Sequence, residues 1–206
     1  MPQRVFIYCE DGFTDSTVSA SLSLLGFDVI GNTDNYEVAL MQTAKLVPDV
    51  MLVHIEHNRT QGLELSKDLR FKFPNLGLVL MTKASDLRLL GIYRSALPVG
   101  TVIVQTTKHS DLENLKHAIE VAPLSTKKRP IVNEIPKLTD AQIQTLRLLA
   151  EGKSNSEIAK IRFVSEKSVE QMLARIASLY GITFDHKQNS RVKLLNNFYA
   201  LIYGRR

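Results

Sequence analysis

The chain is 206 residues long, 44% hydrophobic and 23% charged, with a formal net charge of +5. That length suits two domains of ordinary size, and the composition is that of folded chains with apolar cores, which excludes disorder outside linkers. A single cysteine, Cys9, excludes an intrachain disulfide and any zinc finger built on paired cysteines.

No apolar run approaches the ~18–20 residues of a membrane span. Met1-Pro2-Gln3-Arg4 leads into a short strand-like run instead of a secretory hydrophobic region. A cytoplasmic protein with no membrane partner is expected. Charge is unevenly spread: residues 1–123 hold 11 Lys and Arg against 14 Asp and Glu, net −3, whereas residues 124–206 hold 15 against 7, net +8. The basic end is a candidate polyanion binder, but a basic surface also serves solubility, so motifs have to decide.

From the N-terminus, short β-branched or apolar runs alternate with longer helical patterns. Strands are predicted at Arg4–Cys9, Asp28–Gly31, Val50–His54, Leu78–Met81 and Thr101–Gln105. Helices are predicted near Thr17–Leu25, Tyr36–Leu46, Gly62–Phe73, Asp86–Ser95 and Asp111–Val121. Alternation of this kind builds βαβ units, so residues 1–121 are expected to form an α/β domain, a five-stranded doubly wound parallel sheet of flavodoxin-like type. Functional groups in such sheets gather beyond the C-terminal strand ends, near the topological switch point.

Those ends carry Glu10 and Asp11 after the first strand, His54 on the third, Thr82 on the fourth and Gln105 on the fifth. Over residues 3–121 this pattern resembles the receiver domain of two-component response regulators, in which an acidic pair follows the first strand and Thr or Ser ends the fourth. The resemblance also implies an acceptor aspartate ending the third strand, Mg²⁺ held by it and the acidic pair, and a lysine after the fifth strand. Here the acceptor place holds His54, and Val104 or Gln105 falls where the lysine belongs; Lys108 comes several residues too late.

Exchanging a carboxylate for an imidazole removes both a charge and the hard oxygen ligand that Mg²⁺ prefers. Without metal and lysine, nothing neutralises an incoming phosphoryl group. Neither a Mg²⁺ site nor aspartyl phosphorylation is expected, and no resident cofactor. For His54 the preferred role is a structural ion pair with Glu10 or Asp11, which favours the imidazolium. A transition-metal site of Cys9, His54, His57 and Glu10 or Asp11 has suitable ligand types, but strand alternation points the Cys9 sulfur away. A ligand-sensing pocket is the third option, without a phosphate-cradling glycine motif to support it.

Residues 122–136 carry Pro123, Ser125, Thr126, Lys127-Lys128-Arg129, Pro130 and Pro136 and read as an interdomain linker. Its basic triplet is solvated or touches DNA phosphates. Residues 137–206 then form an all-α domain. Thr139 caps a helix with Ile143, Leu146, Leu149 and Ala150 on one stripe, ended by Gly152. Ser154 or Asn155 caps a short helix holding Ile158 and Ala159, Phe163-Val164 forms a turn, and Val169, Met172, Leu173, Ile176 and Leu179 mark a third amphipathic helix.

Leu138-Thr139, Leu146 through Ala159, and Val164-Ser165-Glu166-Lys167-Ser168-Val169 resemble, in order and spacing, the LuxR-type helix-turn-helix of NarL/FixJ-class response regulators. The resemblance covers about residues 137–203. It implies that the helix beginning near Ser165 enters the major groove of double-stranded DNA and that a final helix, Arg191–Tyr203, completes a four-helix module and commonly supports dimerisation. Helix-turn-helix geometry then makes Lys167, Ser168 and Gln171 candidates for base contact, and Lys153, Asn155 and Arg175 for the phosphate backbone. Glu170 stands where the family usually has a basic residue, and Met172 where His is frequent; a glutamate facing DNA repels phosphate but accepts from cytosine N4. Val192, Leu194, Leu195, Phe198, Leu201 and Ile202 give the last helix more apolar surface than bundle closure needs, which suits a homodimer. No nucleophile–base pair emerges, so an enzyme is not expected. The chain reads as a transcription regulator that works without aspartyl phosphorylation, with a regulatory protein or ligand as a possible partner at the receiver-like domain. The alternatives are a protein-binding adaptor with weakened DNA binding and a ligand- or metal-responsive regulator.

Overall fold

The chain divides into two units, each assembled from two stretches of sequence: Met1–Lys83 with Tyr93–Asn133, and Ala84–Ile92 with Glu134–Arg206. The structure is a computed structural model that describes residues 1–55, 59–106, 111–132, 138–182 and 190–203. His57 and Lys108 lie outside the described residues.

The first unit is built from β1 (Arg4–Tyr8), α1 (Gly12–Leu24), β2 (Asp28–Thr33), α2 (Tyr36–Leu46), β3 (Val50–His54), α3 (Arg59–Lys72), β4 (Gly77–Thr82), β5 (Thr101–Gln105), α4 (Asp111–Val121) and β6 (Ile131–Val132). The strands run in the order β2-β1-β3-β4-β5-β6, each pair parallel. The five expected strands form the receiver-like sheet, and the order reverses between β1 and β3. Every residue of β3 and β4 is buried, because a parallel sheet is covered on both faces and its central strands read as continuous apolar runs. On one face Val5, Ile7, Val50, Leu52, Val79, Met81, Val102 and Val104 pack with Leu22 of α1 and Leu115, Ala118 and Ile119 of α4. The helices α2 and α4 take the bounds that periodicity predicts. Asn35 starts α2 by accepting the Val38 N–H at 3.0 Å.

Two expectations are corrected. The helix predicted at Asp86–Ser95 is replaced by two 3₁₀ turns, Leu87–Leu90 and Arg94–Ala96. Asp86 caps the first, and Gly91, left-handed at φ 80°, ends it after one turn. Leucines three residues apart at 87 and 90 fit a 3₁₀ turn as well as an α-helix, so periodicity does not separate the two. The stretch expected to be a linker is also partly structured. Pro123–Ser125 form a 3₁₀ turn, and Ile131–Val132 add a sixth strand beside Val102 and Ile103. Between these pieces the chain passes so close to Gly100 (φ 76°) that a Cβ there would meet the Thr126 backbone at 2.5 Å. The Gly100 N–H donates to the Lys128 carbonyl at 2.7 Å.

The second unit holds α5 (Asp140–Ala150), α6 (Asn155–Arg162), α7 (Glu166–Leu179) and α8 (Ser190–Tyr203). Capping boxes open the first two: Thr139 with Gln142, and Ser154 with Glu157. Ser165 opens α7 by accepting the Ser168 N–H at 3.1 Å. Ile143, Leu146, Leu149, Ile158, Val169, Leu173, Ile176, Leu194, Phe198 and Ile202 are buried apolar residues of the bundle. Ala84–Ile92 belongs to this unit. Its turn Leu87–Leu90 packs against α5 and α8, with Leu87, Leu89 and Leu90 buried, and the Ser85 N–H donates to the Leu201 carbonyl at 2.8 Å. No described helix is long and apolar enough to cross a membrane.

Candidate nucleic-acid interface and receiver-like pocket

In the second unit the cap residues fix the helix entries, and the periodicity of α7 sorts its faces. Val169, Leu173, Ile176 and Ala177 are buried, while Lys167, Ser168, Gln171 and Arg175 are exposed together with Glu170 and Ala174. Positions 167, 171 and 175, four apart, lie along one side. Of the six expected nucleic-acid contacts, the structure thus brings four onto one solvent face of α7. Ser168 is already engaged, its hydroxyl 2.7 Å from that of Ser165.

Lys153 and Asn155 stand at the start of α6. The Lys153 ammonium lies 3.8 Å from the Glu157 carboxylate. Hydrogen bonds from Ser154, chiefly its backbone N–H, hold the Glu157 carboxyl below the usual carboxylate range, with Lys153 and Lys160 adding to the effect. Arg191, at the start of α8, donates to the Lys153 carbonyl and, at 3.2 Å, to the Asn155 side-chain oxygen. Sequence reasoning missed Arg191, because a lone arginine beside a helix start carries no spacing signal. On the other flank Arg162 of α6 donates to the buried Thr145 hydroxyl of α5 at 2.5 Å. Both arginines pin α6, the helix that precedes the exposed α7.

At the C-terminal edge of the sheet, the register pairs His54 with Met81 and Thr82 with Gln105, and β1 lies next to β3. His54 and Thr82 are buried. Three residues after β1 take separate tasks. Glu10, exposed, accepts from the Tyr8 hydroxyl at 3.4 Å, and burial with the Glu10 charge pushes the Tyr8 phenol up to about 12. Asp11 accepts from the backbone N–H of Thr14, at 3.2 Å, and from its hydroxyl, so it caps the first turn of α1. Cys9 corrects the expectation from strand alternation: its sulfur lies 3.3 Å from His54 Nδ1, in the pocket, and 3.3 Å from the Asp11 carbonyl. Val5, Ile7 and Cys9 alternate onto one sheet face with Val50 and Leu52, and His54 is the next residue of β3 in that alternation, so the thiol and the imidazole meet on that face. The described residues therefore place a thiol beside an imidazole in this pocket. Among them no group of three or more His, Cys, Asp and Glu is arranged to hold a metal ion.

Residues 136–178 match the model of the bacterial regulatory proteins of the luxR family. The chain carries a luxR-family helix-turn-helix domain. It is also homologous to response regulators along most of its length: it is 24% identical over 190 residues to the response regulator protein VraR of Staphylococcus saprophyticus, covering 86% of this chain and 90% of that one. It is 25% identical over 177 residues to the DNA-binding transcriptional activator DevR/DosR of Mycobacterium tuberculosis, covering 75% and 77%. A solved structure of two RcsB dimers bound to two parallel DNAs shares the fold, with a TM-score of 0.57 and 21% identity over 98% of this chain and all of that one.

Proposed function

We propose that this chain is a sequence-specific transcription regulator that reads double-stranded DNA with α7 and acts without aspartyl phosphorylation. The observation that carries the reading is the exposed side of α7, where Lys167, Gln171 and Arg175 stand four residues apart above a buried stripe, within a helix-turn-helix whose entries are fixed by capping. Lys167, Ser168 and Gln171 reach base edges in the major groove, while Lys153, Asn155 and Arg175 sit against phosphates. The excess of positive charge over residues 124–206 draws the unit to a polyanion.

His54 in the acceptor place and Gln105 in the lysine place leave the receiver-like pocket without the charges that phosphoryl transfer and Mg²⁺ require. The signal then arrives at this unit as a protein or small ligand instead of a phosphoryl group. Val192, Tyr199 and Tyr203, exposed on α8, suit a homodimer that reads a two-fold site. Such a regulator works in the cytoplasm, where its DNA is.

The test is selection of genomic DNA fragments by the unmodified full-length protein at two salt concentrations. Fragment-selective, salt-dependent binding without a phosphodonor supports the reading. Absence of any selectivity, with the protein folded, overturns it.

A further inference from the structure

Phe163 breaks two local rules at once. It is a non-glycine residue with left-handed backbone, φ 53°, and it is 96% exposed. A bulky side chain strains that conformation, and positions of this kind favour Gly or Asn. The neighbouring apolar residue has a local explanation. Val164 sends its N–H to the Ala159 carbonyl at 3.0 Å, and Phe163 sends its own to Lys160 at 3.3 Å, the two bonds of a Schellman turn. Val164 also precedes the Ser165 cap and stands five residues before buried Val169, the spacing of a hydrophobic staple. Phe163 caps nothing with its side chain and covers no core.

Its surroundings say what meets it. Phe163 ends α6 and lies two residues before the cap of α7, with Lys160 and Arg162 on one side in sequence and Lys167 on the other. The turn leads directly into α7, with exposed Lys167 four residues on, and the doubled hydrogen bond holds the ring's attachment point fixed. A rigid apolar ring flanked by cations fits a polyelectrolyte whose charged phosphates are joined by apolar sugar faces.

We infer that Phe163 is a DNA-contacting residue, which lays its ring on the deoxyribose face of the strand that borders α7. The inference rests on the proposed function above and assigns the turn, besides the helix, to the interface. Ring-on-sugar contact adds affinity without neutralising a phosphate, so it leaves the salt dependence unchanged.

The test compares full-length wild type, F163N, F163Y and K167A on a duplex selected by the wild type and on a random-sequence duplex. F163N is expected to fold with an unchanged or raised Tm, because Asn suits the left-handed position, and to bind both duplexes about 10-fold more weakly at an unaltered salt slope. F163Y is expected to bind as wild type. K167A is expected to lower the slope by about one. Unchanged affinity in F163N overturns the inference, as does a loss accompanied by a lowered Tm, which makes the ring a structural element. If wild type shows no selectivity and K167A changes nothing, the DNA-reading function has failed instead.

Discussion

The guanidinium of Arg88 lies 2.5 Å from the carboxylate of Asp140, the first residue of α5, and at the same time donates to the Leu138 carbonyl at 2.7 Å and to both oxygens of Asp86. These contacts differ in worth. The Asp140 side chain is 72% exposed, so that pair is screened and contributes little; Asp86 is 18% exposed and the Leu138 carbonyl has its charge-assisted donor in Arg88. R88A is expected to destabilise the second unit by about 1–3 kcal/mol and D140A by no more than about 0.5–1 kcal/mol. Urea denaturation of each variant measures both, and equal losses would show that the Asp140 pair dominates after all.

Because Leu87, Leu89 and Leu90 are buried and their turn packs on α5 and α8, residues 134–206 expressed alone lack part of their own core. The excised piece is expected to bind a hydrophobic dye and to melt below the corresponding transition of the full chain. Adding back a peptide of residues 84–92 should raise its Tm. A dye-silent fragment with the full-length Tm would mean that the segment adds nothing.

The receiver-like pocket is expected to stay unphosphorylated. Incubation with a small phosphodonor and Mg²⁺ should leave the intact mass unchanged, and H54D should not gain label, since Gln105 still stands where a lysine is needed. Label taken up by the wild type refutes the phosphorylation-independent reading.

Tyr8 supplies a pH dependence with a definite sign. Its folded-state pKa is raised to about 12 from the ordinary 10.0, first by burial and then by Glu10. A phenol that stays protonated longer in the folded state contributes stability that is complete below about pH 10 and is lost as pH rises toward about 12. Tyr36, raised likewise to about 12 by burial and by its hydrogen bond to Asp68, adds to the same alkaline loss. Y8F should therefore flatten the fall of Tm on the alkaline side, and ultraviolet titration of the folded protein should show late-ionising tyrosines. A Y8F profile superimposable on wild type would remove Tyr8 from the account.

Cys9 is buried against His54, so a thiol reagent is expected to react in urea but not with the folded protein. Rapid reaction under native conditions would place the sulfur at the surface.

The sheet was legible because parallel strands announce themselves: β3 and β5 are nearly continuous apolar runs, and α2 and α4 begin and end where periodicity says. The helix-turn-helix was legible through Thr139 and Ser154, whose hydroxyls cap at the expected places, and through the apolar stripe of the helix that begins near Ser165. What escaped has physical reasons. A two-residue strand such as Ile131–Val132 has no period, and prolines at 123, 130 and 136 outweighed its β-branched character. The Cys9 sulfur faces His54 because alternation from Val5 and Ile7 in β1 and from Val50 and Leu52 in β3 carries both onto one face, which becomes visible only once the two strands are known to be neighbours. Arg88 and Arg191 act across long stretches of chain, and no local pattern marks an arginine that will hold a distant carbonyl.

Each unit borrows a piece of chain from the other side of the basic triplet Lys127-Lys128-Arg129. The part before it contains Ala84–Ile92, which belongs to the helical unit, and the part after it contains Ile131–Val132, which hydrogen-bonds to β5. A trypsin nick in that exposed triplet would cut the backbone without parting the halves. The two fragments would travel together through a sizing column and come apart only in denaturant, each still holding a segment that the other needs.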